Sequence, residues 1–268
     1  MSYKTDVSAR EEIIKVINAN NNYLFISAKH ASMEKHTGKI CTLFEDGITD
    51  NQLLEYLTYR NYKSIVQNSY QPALEKLELL KKLSYNRLNF FNLEFNLLED
   101  GAAAKNFVFT QNTPRDDIFK EVCEFTVMDP ESARSAKARQ TVEELLMNAQ
   151  ITAPSTKNST ERAASYLKVE YTDSLIAFSA FDDYGSLDCK KFLKKVETGL
   201  ALGLNKSINF GKGGAGLGSS LIFQNSDSLF LGVNANKKTR VSSIMPYNVT
   251  ERKFEGMQRS LHIIEIKS

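Results

Sequence analysis

The chain has 268 residues, 42% of them hydrophobic and 25% charged, the balance of a globular protein with material for a core and not of a disordered one. Lys and Arg total 34 against 32 Asp and Glu, so no bulk positive charge points to nucleic acid as a partner. No apolar run approaches the ~20 residues of a membrane-spanning helix. The opening MSYKTDVSAREEIIKV carries acidic residues where a signal peptide needs an apolar core, so the expectation is a soluble cytoplasmic protein with no membrane partner.

In chain order, Glu11 to Asn18 (EEIIKVIN) has helical apolar spacing. Tyr23 to Ile26 and Cys41 to Phe44 predict buried strands, the second stopped by Glu45-Asp46-Gly47. Asp50 is placed to cap a helix through Leu53, Leu54 and Leu57. Tyr62 to Val66 predicts a third strand, and Pro72 starts a helix with Leu74, Leu77, Leu80 and Leu83 at three-residue steps. This alternation predicts a small, regulatory α/β domain over residues 1–100. It weakly resembles the end of a receiver domain. However, Tyr23–Ile26 leads into Ser27-Ala28-Lys29-His30, without the acidic cluster a working receiver needs. A degenerate receiver and an unrelated partner-binding domain both remain open.

Asp100-Gly101-Ala102-Ala103-Ala104 is small and flexible and marks the expected boundary, with a second domain over 101–268. Asn106 to Thr110 predicts a strand, Pro114 a helix through Ile118, Phe119, Val122 and Phe125, and Pro130 a longer helix to about Gln150. Two strands, Tyr166–Tyr171 and Leu175–Phe181, flank an Asp173-Ser174 turn. A helix over Leu187 to Val196 precedes a glycine-rich loop, Gly211–Gly218, which runs into a helix ending at Phe223. Strands at Leu229–Val233, Arg240–Ile244 and Leu261–Ile266 close the chain. The predicted fold class is α/β: an α+β sandwich with a mixed or antiparallel sheet and helices on one face. Cys41, Cys123 and Cys189 lie far apart, form no CxxC and have no nearby His to complete a zinc site, so they read as reduced thiols.

Three motifs carry chemistry. In Val142 to Ala149 (VEELLMNA), Glu144 and Asn148 are four apart on one helix face, while Val142, Leu145, Leu146 and Ala149 form an apolar stripe. A carboxylate suits a general base, and an amide oxygen is a hard ligand suited to Mg²⁺. Next, Phe181-Asp182-Asp183-Tyr184-Gly185 ends a strand. An Asp there can accept a hydrogen bond from an adenine amino group, and the glycine lets backbone pass close to the base. Last, Gly211 to Ser220 (GKGGAGLGSS) packs five glycines into eight residues before an apolar helix, a backbone cradle for phosphate. It is not a Walker A loop, because Gly216 is followed by Leu217-Gly218 and Lys212 precedes the run. Gly211, Gly213 and Gly216 have Rossmann spacing, but the loop comes late, follows a helix, and lacks the acidic residue expected ~20 positions on.

The order and spacing of these motifs resemble the GHKL, or Bergerat, ATP-binding family from about Phe107 to the end. ELLMNA (Glu144 to Ala149) resembles its N box, DYG (Asp183 to Gly185) its first glycine box and GGAGLG (Gly213 to Gly218) its second. Thr239, Val241 and Pro246 fit its closing hairpin. The resemblance implies ATP and Mg²⁺ as cofactors, with Glu144 as general base and Asn148 holding the metal against the phosphates. It further implies Asp183 on the adenine amino group, Gly185 beneath the ring, Thr239 at the adenine edge, and Gly214, Gly216, Leu217 and Gly218 as a phosphate-side lid. Lys212 would add charge there. Leu187 stands where the first glycine box often has a second glycine, a departure that bears on catalytic rate more than on nucleotide binding.

Of the histidines His30, His36 and His262, none lies in a long heptad helix, which disfavours a phosphoacceptor histidine; His262 reads as structural. The compact arrangement is most similar to the anti-sigma factor serine kinases. That resemblance implies phosphorylation of Ser or Thr on a protein partner, a sigma factor or antagonist-like protein, with a homodimer also compatible. The competing expectations are a non-catalytic, nucleotide-dependent binding protein and a histidine kinase-like ATPase lacking its own phosphoacceptor histidine.

Overall fold

The computed structural model describes residues 15, 23–27, 40–44, 47–60, 62–69, 71–99, 101–110, 112–151, 165–202, 217–247 and 249–266. Apart from Lys15, the helix expected over Glu11 to Asn18 lies outside them, as do His30, His36 and the loop residues Lys212, Gly214 and Gly216. The described chain runs β1 (Tyr23–Ser27), β2 (Ile40–Phe44), α1 (Asp50–Tyr59), β3 (Ser64–Val66), α2 (Ala73–Tyr85) and a 3-10 turn (Arg87–Phe91). It continues through β4 (Ala103–Phe109), α3 (Arg115–Thr126), α4 (Ala133–Ile151), β5 (Ser165–Tyr171), β6 (Leu175–Asp182), α5 (Cys189–Leu202) and α6 (Leu217–Asn225). β7 (Ser228–Asn234), β8 (Lys238–Pro246), α7 (Glu251–Glu255) and β9 (Ser260–Ile266) complete it.

All nine strands form one mixed sheet in the order β1-β2-β3-β9-β7-β8-β6-β5-β4. β1, β2 and β3 are parallel, β7 and β9 are parallel, and the remaining neighbours are antiparallel. The α/β sandwich class is therefore the one the pattern predicts. The expected boundary near residue 101 does not separate two cores. Ser64 and Ile65 of β3 pair with His262 and Leu261 of β9, and Leu53, Leu54, Leu57 and Ile65 pack in the same apolar cluster as Leu145, Phe178 and Leu231.

Local chemistry sets the element ends. Thr49, not Asp50, caps α1: its hydroxyl accepts from Gln52 N and the Gln52 side chain accepts from Thr49 N, a reciprocal capping box. Pro72 and Pro114 precede α2 and α3, where a missing N–H costs nothing. α3 stops at Val127 in left-handed geometry, its N–H bonded to Cys123 O. β6 is buried along its whole length. Ile176, Phe178 and Ala180 face the helices α3 to α6, and Leu175 and Ala177 face the other way.

That second face is the main difference from the expectation of helices on one side only. α2, the 3-10 turn and the segment to Leu98 cover it, placing Leu79, Leu83, Phe90, Phe91, Leu97 and Leu98 against Ala177, Phe230, Ile244 and Ile264. Phe90 lies so close to Gly232 that a Cβ there would sit 2.7 Å from its Cδ1.

Buried charge fastens the cover. The fully buried Arg240 donates to Phe90 O at 2.9 Å, Phe95 O at 3.2 Å, Ser242 Oγ at 3.0 Å and Ser179 Oγ at 3.0 Å. Its guanidinium lies between the rings of Phe90 and Phe181, 4.7 Å from each centroid. Glu170 accepts from Leu97 N at 2.8 Å and Leu98 N at 3.1 Å and lies 3.7 Å from Arg240. Lys168 donates to Leu93 O at 2.6 Å and to the Asn96 side chain at 2.7 Å. Burial pushes Arg240 down to about 10, so it remains charged at neutral pH.

A second buried pair, Lys76 and Asp227 at 3.0 Å, ties α2 to the start of β7. His262 stacks on Phe230 at 4.4 Å and meets Ser64 Oγ at 2.5 Å; burial pushes its pKa down to about 3, which fits its structural role. Among the described residues no helix is long and apolar enough to cross a membrane.

Candidate functional site

α4, β6 and β8 meet at the end of the sheet where β6 stops and β8 begins. Between them lies a narrow cavity of about 10 Å³ lined by Leu145, Asn148, Ala149, Ala180, Asp182, Leu187, Thr239 and Val241. Helical spacing brings Leu145, Asn148 and Ala149 to one face of α4. Strand alternation brings Ala180 and Asp182 to one face of β6, and antiparallel register sets Asp182 opposite Thr239 and Ala180 opposite Val241. The walls are largely aliphatic, with Asp182 and Thr239 side by side on the strands and Asn148 on the helix.

Asp182 is 4% exposed. Its Oδ1 accepts from Tyr184 N at 2.9 Å and Gly185 N at 3.4 Å. Burial raises its pKa, while those amides and the nearby Thr239 hydroxyl pull the other way. The buried Thr239 Oγ1 makes no close hydrogen bond of its own.

Asp183, the aspartate expected in this place, lies outside the cleft. It is exposed, with its carboxylate 3.9 Å from Lys238 Nζ. The period of two in β6 decides this: Ile176, Phe178 and Ala180 face the helices, so residue 182 continues that face and residue 183 does not.

Gly185 is buried at φ +60°, and an added Cβ would collide with Asn234 O. Its carbonyl accepts from Asn236 N at 3.4 Å, so its role in the structure is to let this turn press against the β7–β8 hairpin. Asn148 and Thr239 line the cleft as expected positions. Leu145, Ala149, Ala180, Asp182, Leu187 and Val241 line it too, and the β6 alternation and the α4 stripe carry that signal in the sequence.

Glu144 lies one helical turn before Asn148 on α4, beside the cleft rather than in its lining. Its carboxylate rests against Gly218 in the first turn of α6, where an added Cβ would overlap it. Burial raises the Glu144 pKa; Arg115 opposes this, Glu143 adds to it, and Lys195 opposes it more weakly. Leu217 is the first residue of α6. Gly218→Ala is expected to drive the carboxylate outward into solvent and to bring its pKa down toward that of an ordinary glutamate. Carbon-detected NMR titration of Glu144 checks this, and the fold should survive because the displaced group is the far end of a flexible side chain.

Compared with models of known protein families and with curated proteins, the sequence matches none. Among the described residues no group of three or more His, Cys, Asp and Glu could by itself hold a metal ion.

Proposed function

We propose that this cleft binds the base of an adenine nucleotide and that the chain is an ATP- and Mg²⁺-dependent regulatory protein of the GHKL type. One observation carries the reading: an aliphatic slot into which a buried carboxylate, Asp182, and a buried hydroxyl, Thr239, are set side by side. A flat base with an exocyclic amino group matches the polarity of such a slot, which at about 10 Å³ must widen to admit it. The amino group would donate to the carboxylate, the hydroxyl would take up a ring nitrogen or bridging water, and the ring would lie against the aliphatic side chains once they part. Asp182 takes the adenine role that the sequence motif assigns to Asp183.

The phosphates would leave toward Asn148 and the start of α6. Asn148 would hold Mg²⁺ through its amide oxygen, and the metal would supply charge neutralisation; a magnesium site that leans on phosphate oxygens needs few protein carboxylates. Glu144 would accept the proton of an attacking hydroxyl. In the phosphotransfer, a partner's Ser or Thr oxygen bonds to the γ-phosphorus, the bond from that phosphorus to the β–γ bridging oxygen breaks, ADP leaves, and Glu144 holds the proton. The resemblance to anti-sigma factor serine kinases extends this to a sigma factor or antagonist-like protein in the cytoplasm.

Leu187 favours a second reading, a nucleotide-gated binding protein without turnover, because it fills part of the slot with an isobutyl side chain where the family often has glycine. Calorimetry with ATP, and phosphotransfer by wild type and Glu144→Gln, separate the two. For the kinase, Glu144→Gln should bind ATP and lose about 10²–10⁴-fold in turnover. The wild-type rate should also fall with pH at values above those of an ordinary glutamate, because Glu144 acts only when ionised and its pKa is raised. Binding with no Glu144-dependent turnover would favour the switch, and no binding of ATP would remove both readings.

A further inference from the structure

α5 is cleanly divided. Cys189, Phe192, Leu193, Val196 and Gly199 are buried, whereas Lys190, Lys191, Lys194 and Lys195 are all exposed. The four lysines occupy two successive helical rows of one face, and none makes an ion pair with a described carboxylate. The acidic groups nearest along the helix are peripheral. Asp188 precedes it and caps Lys191 N at 3.0 Å, and Glu197 is half-buried at the edge of the face.

The placement runs against helix stability. Lys190 and Lys191 stand in the first turn, which carries no acidic residue, and the partial positive charge of a helix N-terminus disfavours cations there. The chain as a whole is nearly balanced, with 34 basic against 32 acidic residues, so this concentration is not an average property of the surface. The helix starts two residues after Leu187, which lines the cleft, and Lys195 is close enough to act on Glu144.

We propose that the exposed face of α5 is a docking surface for an acidic segment of a protein partner, held beside the cleft. Charge complementarity selects the occupant. The apolar face of α5 is buried in the core and cannot enter a bilayer. The lysine face carries no aromatic side chain on which nucleobases could stack. A short run of Asp and Glu matches both its sign and its extent. The surface stands apart from the nucleotide reading, and it is tested without nucleotide.

The probe is a fluorescein-labelled oligopeptide of alternating Glu and Asp, titrated by anisotropy at low ionic strength, where surface charge is least screened. Three proteins and two competitors are compared. Wild type should bind, and a variant combining Lys190→Gln, Lys191→Gln, Lys194→Gln and Lys195→Gln should bind at least tenfold more weakly. A control with the same charge change elsewhere (Lys82→Gln, Lys120→Gln, Lys237→Gln and Lys253→Gln) should bind as wild type does. A duplex oligonucleotide and phosphatidylserine vesicles should compete poorly for the peptide. The α5 variant should melt at or above the wild-type temperature, because two cations leave the helix N-terminus, which separates lost docking from lost folding. Equal weakening by the two variants would show only diffuse attraction and overturn the proposal, as would failure of wild type to bind the peptide. Preferential binding of the duplex or vesicles through the same lysines would reassign the surface.

Discussion

Arg240→Met should lower the free energy of unfolding by about 3–5 kcal/mol, because removing one partner of a buried ion pair leaves Glu170 with only Lys168, 3.9 Å away, and two backbone amides against its charge. Arg240 is fully buried, and so is Glu170 3.7 Å away. The substitution also strips donors from the carbonyls of Phe90 and Phe95. Methionine roughly keeps the length of the side chain between the two phenylalanine rings, so the loss reports charge and hydrogen bonds more than an emptied volume. The matched test is the double variant Arg240→Met, Glu170→Gln. With the stranded carboxylate neutralised it should recover part of the loss, and the coupling in the double-mutant cycle should be favourable. Chemical denaturation reads all three variants. A loss below about 1 kcal/mol in the single variant would mean that water reaches Glu170 and that the cover over this face is loose.

Asp182→Asn should weaken ATP binding by about 1–3 kcal/mol, roughly five- to 150-fold in Kd, while Asp183→Asn should leave it nearly unchanged. The contrast matters more than either number. Both residues are aspartates in one motif, both sit at the end of β6, and only the first faces the cleft. Asparagine keeps the shape but turns half of the carboxylate into a donor, which faces the donor amino group of the base. Asp183 sits in solvent near Lys238, where an exposed pair contributes little. Calorimetry on the two variants decides between them. Equal losses, or a loss confined to Asp183→Asn, would return the adenine contact to the exposed residue and leave the buried one to a structural role.

The elements themselves were legible because their periods are strong. The apolar stripe of α4, the alternation of β7 to β9 and the proline-led starts of α2 and α3 each appear within a few residues of where they were expected. The second face was not legible, for a physical reason. Along β5, Lys168 and Glu170 alternate with Leu167 and Val169, the ordinary pattern of a sheet with one wet side. In the structure both charged residues are buried, because the segment from Arg87 to Leu98 supplies the amides and carbonyls that water would otherwise provide. Nothing in a local window distinguishes those two solvents. The β3–β9 pairing joins residues about two hundred positions apart, which periodicity cannot see. In the site, the helical stripe and the motif order were readable, but the one-residue choice between Asp182 and Asp183 depended on where β6 ends.

The sheet's shared ownership has a practical side. A gene fragment opened at the compositional seam near residue 101 would take β7, β8 and β9 and leave behind what lies over them. Phe230, Ile244 and Ile264 would then meet water together, with an arginine stranded among them. The C-terminal half is thus less a portable cassette than a tenant of the first hundred residues, and a transplant into another protein would have to bring its landlord along.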